Sequence, residues 1–179
     1  MISTRCNQGD IEMYDLSIFD EKGLQSVDGA PFPNPDEKLH GRVILAIKPD
    51  LTFVMADDPA NPPEFGKFVH ERDGEIYIAV LEDSVIEFVL DPSALWEYDV
   101  KKGLLVFKVP GDRRYYKVQY LPGQKPQRNL VLHAHATGKP QTDPQTHPFD
   151  LKLLIPQQGG KPLPVTIDPE VKNPPPPGG

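Results

Sequence analysis

The sequence predicts an all-β fold, an antiparallel β-sandwich of immunoglobulin-like or jelly-roll-like type with little or no helix. Three observations predict it. Apolar residues alternate at period 2 in one short run after another, turn residues divide the runs, and no run holds a 3.6-residue period for three turns. Proline adds to the case: 22 residues of 179, about 12% against a background of about 5%, which suits many short elements with marked ends.

The densest part is residues 75–107. Ile76, Ile78 and Val80 fall on one side of an extended segment and Tyr77, Ala79 and Leu81 on the other, both apolar, as in a central strand. After the polar corner Glu82-Asp83-Ser84, Ile86, Phe88 and Leu90 alternate with Val85, Glu87 and Val89 until Asp91-Pro92 ends the run. Trp96, Tyr98 and Val100 then alternate with Glu97 and Asp99, giving one buried and one wet face. Lys101-Lys102-Gly103 turns the chain, so the apolar run 104–109 is expected to pair with 96–100 as a hairpin.

Before this stretch, residues 1–10 read as irregular and 11–19 as a strand with Tyr14, Leu16 and Ile18 on one face. Residues 20–40 are polar and broken by Pro31, Pro33 and Pro35, which predicts a long loop. Strands follow at 41–48 and 51–56, then a loop at 57–63. Asp73-Gly74 between extended runs is the strongest hairpin signal in the chain. After the dense stretch, strands are expected at 113–121, 129–137, 149–155 and 163–167, with a loop at 138–148. In domain terms, 1–40 is an N-terminal strand and proline-rich loop of the same domain, 41–167 is the sandwich core, and 168–179 is a proline-rich tail.

Charge narrows the function classes. The net charge is −7 and the pI about 5.2, with no basic stripe to displace counterions from a phosphate backbone, so no nucleic-acid partner is expected. No apolar segment approaches the roughly 20 residues of a membrane helix, and no membrane partner is expected. The N-terminal residues show no apolar leader, and the single cysteine, Cys6, suits a reducing compartment; the expectation is a cytoplasmic protein.

Of the groups that carry chemistry, His133 and His135 are the sharpest. On a strand they project from one face within reach of one metal ion, and His147 follows closely enough to be a third ligand. The pair lacks the Glu and glycine pattern of a cupin motif. The favoured reading turns Leu130, Leu132, Ala134 and Ala136 to the core and Val131, His133 and His135 to solvent, so no metal and no cofactor is expected. The acids Asp57, Asp58, Glu82, Asp83, Glu97 and Asp99 sit at turns or on a wet face without an organised pair. Neither a phosphate-cradling glycine loop nor a nucleophile elbow is present. No catalytic residue is expected.

Three segments carry a resemblance. The strand from Val43 with its Lys48-Pro49-Asp50 turn, the run 82–90 leading to Trp96-Glu97-Tyr98-Asp99-Val100, and the segment 165–174 resemble the small bacterial and phage DP-EP family. That family is similar in outline to bacterial inclusion-body proteins, which carry an element like Asp58-Pro59-Ala60-Asn61-Pro62. The resemblance covers about residues 40–174 and implies an antiparallel β-sandwich with no established activity and no catalytic residues. The function expected from all this is a non-catalytic sandwich acting through its surface, with a protein partner or by self-association. The alternatives are a metal-dependent small-molecule enzyme using His133 and His135, and a phage or virion accessory module.

Overall fold

The computed structural model describes residues 25–26, 39–48, 52–63, 66–72, 74–80, 84–93, 95–108, 116–134 and 145–173. Among them lie thirteen strands, short 3-10 segments and no α-helix, so the all-β class expected from the sequence is the class observed. No helix among the described residues is long and apolar enough to cross a membrane. The strand expected at 11–19 and the last proline run lie outside the described residues.

The first sheet contains β1 (Gln25–Ser26), β2 (Leu39–Ile47), β3 (Phe53–Asp57), β6 (Ser84–Leu90), β9 (Tyr116–Tyr120) and β10 (Asn129–Ala134), in the order β1-β9-β10-β6-β2-β3. Strand β6 lies at its middle and all seven of its residues are buried. It pairs antiparallel with β10 and parallel with β2, so the sheet is mixed where period alone predicted antiparallel pairing throughout.

The second sheet contains β4 (Val69–Arg72), β5 (Glu75–Ala79), β7 (Glu97–Tyr98), β8 (Leu105–Phe107), β11 (Gln145–Ile155), β12 (Leu163–Ile167) and β13 (Glu170–Asn173). The β4–β5 hairpin closes between Arg72 and Glu75, where the sequence predicts it, with Gly74 at φ 81°. Strand β11 is the spine. On one side it pairs β12 (Leu151↔Ile167) and then β13 (Pro148↔Glu170) in one unbroken register, with Phe149 N donating to Pro169 O at 3.0 Å across the gap. Residues 170–173, expected as the start of a tail, therefore form a strand, held between β11 and a parallel β5.

On its other side β11 carries β8 and β7 end to end, and here the expected 96–109 hairpin is not what forms. Both segments run antiparallel to β11, at Leu105↔Leu151 and Tyr98↔Leu153. The turn between them is an excursion from one strand line. Asp99 caps the 3-10 turn Val100–Lys102 by accepting from Lys101 N at 3.1 Å and Lys102 N at 3.2 Å, and Gly103 and Leu104 both take positive φ. Asp99 N and Leu104 O then rejoin the ladder at Lys152.

One core takes side chains from both sheets. Val43, Leu45, Ile86, Phe88, Leu90, Leu130 and Leu132 come from the first, and Ile78, Tyr98, Leu105, Phe149, Leu151 and Leu153 from the second. Phe88 meets Phe149 edge-on at 6.4 Å between centroids, and Phe107 meets Phe149 at 5.8 Å.

Gly41 sits at the irregularity in the β2–β6 pairing, against the buried ring of Phe68. A Cβ at this position would overlap Phe68 Cε2 and lie 3.2 Å from Cδ2 and Cζ. The ring is enclosed, so it has little room to yield. Gly41→Ala should therefore destabilise the protein by about 1–3 kcal/mol, the usual cost of overpacking. Urea denaturation measures it, and an unchanged midpoint would show that the ring moves freely.

Candidate functional site

Strand alternation gives the first sheet a second set of side chains, on the face away from the shared core. On β6 these are Val85, Glu87 and Val89; on β10 they are Asn129, Val131 and His133. All six are buried as well. A row of polar groups crosses this face. Parallel pairing sets Arg42 opposite Glu87, and Arg42 Nε donates to Glu87 Oε2 at 2.7 Å. Arg42 Nη1 reaches Asp58 Oδ2 at 3.4 Å. Asn129, a diagonal neighbour of Glu87 across the β6–β10 pair, donates from Nδ2 to Glu87 Oε1.

The loop after β3 closes the row. Asp58 accepts from Ala60 N at 2.8 Å, and this turn presents Asn61, whose amide accepts from Arg42 N and donates to Arg42 O, each at 2.8 Å. The Asp58-Pro59-Ala60-Asn61 element is thus a clamp on Arg42. Glu87 is 0% exposed, and a buried charge persists only when it is paired. Burial pushes the Glu87 carboxyl above its ordinary value of 4.5, while the Arg42 charge and the hydrogen bonds from Arg42 and Asn129 pull it back.

At the end of this row, where β6 finishes and β10 begins, a cavity of about 260 Å³ opens. Val89, Leu90, Pro92 and Pro126 give it apolar walls, Lys125 and Arg128 bring cations, and Gln124 and Asn129 bring amides. The backbone of its 124–129 side is fixed. Leu90 N donates to Arg128 O at 2.9 Å and Tyr98 N to Gln127 O at 2.7 Å. The buried Gln127 side chain donates to Asn129 O at 2.6 Å and to Gln124 Oε1 at 3.3 Å. Opposite, Asp91 accepts from Ser93 N at 2.8 Å and sets the turn that holds Pro92. Cations and amides converging on apolar walls suit an anionic ligand with a flat apolar part. A second cavity of about 320 Å³, between Phe53, Ile76, Pro148 and Pro169, is larger, but its charged lining is Glu75 and Asp168. Acids repel an anion, so chemistry rather than size favours the first.

His133 and His147 are not brought together. His133 lies on β10 and is 1% exposed, not turned to solvent, because the outer face of its sheet is buried; its Nε2 donates to Gln119 Oε1 at 2.8 Å. His147 lies on β11 in the other sheet, where burial lowers its pKa. His135 lies outside the described residues. Among the described residues no group of three or more His, Cys, Asp and Glu side chains is placed to hold a metal ion. Asp57, expected as a plain turn acid, accepts from Phe68 N at 3.0 Å and joins β3 to the approach to β4. Arg42, Asn129 and the pairing of Glu87 escaped sequence reasoning. Their signal was a charge within runs apolar on both faces: Glu87 between Val85 and Val89, and Arg42 beside Val43.

A family model described as a predicted novel nucleotide synthetase matches residues 38–176, and the chain belongs to that family. No curated protein and no solved structure matches it. Membership corrects two expectations. The likeness to the DP-EP family and to inclusion-body proteins gives way to this family, and the non-catalytic surface protein gives way to an enzymatic reading. With it go the metal-dependent enzyme built on His133 and His135 and the virion module.

The raised Glu87 pKa makes a signed prediction. The folded protein binds this proton more tightly than the unfolded chain, so the contribution to stability is full below about 4.5 and is lost as pH rises through the folded value. Urea midpoints of the wild type and Glu87→Gln, compared from pH 4 upward, should show the wild type losing ground as pH rises. A difference constant with pH would contradict it.

Proposed function

We propose that the protein is an enzyme that binds a nucleotide in the cleft where β6 ends and β10 begins, in keeping with its family's description as a predicted nucleotide synthetase. The observation that carries this reading is the placing of Lys125 and Arg128 beside apolar walls over a fixed backbone. The two cations meet phosphate charge; Pro92, Pro126 and Val89 meet the base or sugar. At about 260 Å³ the cleft falls below the range of about 300–1,000 Å³ usual for sites that enclose a small molecule. It takes part of a nucleotide, and the remainder lies across the open rim. Glu87 stands behind the wall, fully buried and engaged by Arg42 and Asn129, so it positions and does not react. Nucleotide chemistry and the lone Cys6 both fit a reducing cytoplasm, which we propose as the compartment.

Titration calorimetry with ATP tests the site. The Arg128 backbone is held through its carbonyl, which Arg128→Ala leaves in place, so the fold should survive. Loss of one charge-assisted contact should weaken ATP about tenfold or more, and Lys125→Ala should act in the same direction. Binding that neither substitution changes would move the site elsewhere. A wild type that binds no nucleotide would end the reading.

Self-association is a separate proposal, carried by β12. This strand pairs with β11 alone among the described residues, and Leu163 on it is 50% exposed. Light scattering across a wide concentration range should show the molar mass rising; a monomer throughout overturns it.

A further inference from the structure

The cleft's one amide held at depth has its orientation set from behind. Asn129 is 8% exposed and lines the cavity, and the described residues give its side chain one hydrogen bond, from Nδ2 to Glu87 Oε1. Glu87 cannot turn away, because Arg42 holds its other oxygen at 2.7 Å and Asn61 clamps the Arg42 peptide on both sides. An ionised carboxylate only accepts, so the Asn129 amide must offer it the nitrogen. The amide is planar, and its oxygen then points away from Glu87.

Val89 sits directly across from Asn129 in the β6–β10 register and is an apolar wall of the same cavity. The Asn129 oxygen therefore lies beside the part of the cleft that suits a base, whereas Lys125 and Arg128 serve the phosphates. We propose that Asn129 determines specificity by presenting its Oδ1 as a fixed acceptor to the exocyclic amino group of an adenine or cytosine base. The selected class is a nucleotide whose base carries an amino group where its partner base carries a carbonyl. This inference rests on the nucleotide reading above. It adds which bases the site prefers and why.

A carbonyl at that position would bring two acceptors face to face and leave the Asn129 oxygen without a partner, a larger penalty than the loss of one contact. Glu87 enters as a positioning residue. A glutamine there must turn its oxygen to the Arg42 donor, which leaves its own NH2 facing Asn129. The Asn129 amide then flips and offers its nitrogen to the cleft.

Calorimetry with two matched pairs, ATP against ITP and CTP against UTP, tests this on the full chain, since each pair differs by an amino group exchanged for a carbonyl. The wild type should bind at least one amino-bearing member about tenfold or more tightly than its keto partner. Asn129→Ala should bring that ratio to within about twofold, and Glu87→Gln should invert it, which a general loss of structure would not do. A wild-type ratio near one in both pairs, with binding intact, overturns this inference and leaves the nucleotide reading standing. A preference unchanged in a folded Asn129→Ala overturns it too. Binding of none of the four overturns both. Should the variants fail to fold, the wild-type ratios decide alone.

Discussion

The Arg42–Glu87 pair is the contact on which the first sheet depends. Strands β2 and β6 run parallel, and their two charged residues are 45 positions apart in the chain, so no tight turn sets their register. The pair sets it. Only with residue 42 opposite 87 do the charges meet, and a slip of one residue would send one set of side chains to the wrong face, Glu87 into the apolar core with them. The pair is no bonus in stability. Removing two ions from water costs several kcal/mol each, which their attraction repays only when geometry is good and every remaining hydrogen-bonding position is filled. Asp58 takes a guanidinium nitrogen of Arg42, Asn129 takes the second oxygen of Glu87, and Asn61 holds the Arg42 backbone in place. What the pair secures is one arrangement against its alternatives.

The second sheet reaches its order by other means. Strand β11 has eleven residues, and it gathers two broken strands along its edges: β12 with β13 on one, β7 with β8 on the other. Each break is a place where sequence demands a local departure, Asp168-Pro169 in one and the capped 3-10 turn in the other. Strand β7 also connects the sheets, because Tyr98 N holds Gln127 O and so fixes one side of the cleft. The edge-on contact of Phe88 with Phe149 ties together the layers that this link depends on. The cleft is therefore built by both sheets, although its polar lining belongs to the first.

Much of this was legible in the sequence, for a physical reason. Period-2 patterning reports which residues a strand buries, and β2, β3, β5, β6, β10 and β12 lie close to where it puts them. Patterning says nothing about which strand lies beside which. The 96–109 hairpin was expected because adjacent runs pair most often, and it fails because β11, some fifty residues on, offers both runs a single edge. Residues 170–173 look like a tail by composition and become a strand only because β5 and β11 leave a place between them. The site suffered in the same way. The His133–His135 spacing is a local signal, and it drew attention to a histidine that Gln119 already engages. The row that matters joins residues 42, 58, 87 and 129, which only the sheet brings together.

A fold of two sheets carries no chemistry of its own, and the enzymatic reading has to live at a site grafted on it. Strand ends are where such a site can form: the β6 and β10 ladders stop, the chain turns at Pro92 and Pro126, and side chains that a sheet would have paired become available. Precision then has to come from the strands behind. Here it does, because Asn129 is still a ladder residue, opposite Val89, and its amide is tied to a pair of ions that hold the register of the sheet. The groups that fix the fold and the group that reads the ligand are thus one connected set. That is why a buried carboxylate which never touches the ligand governs what the cleft accepts.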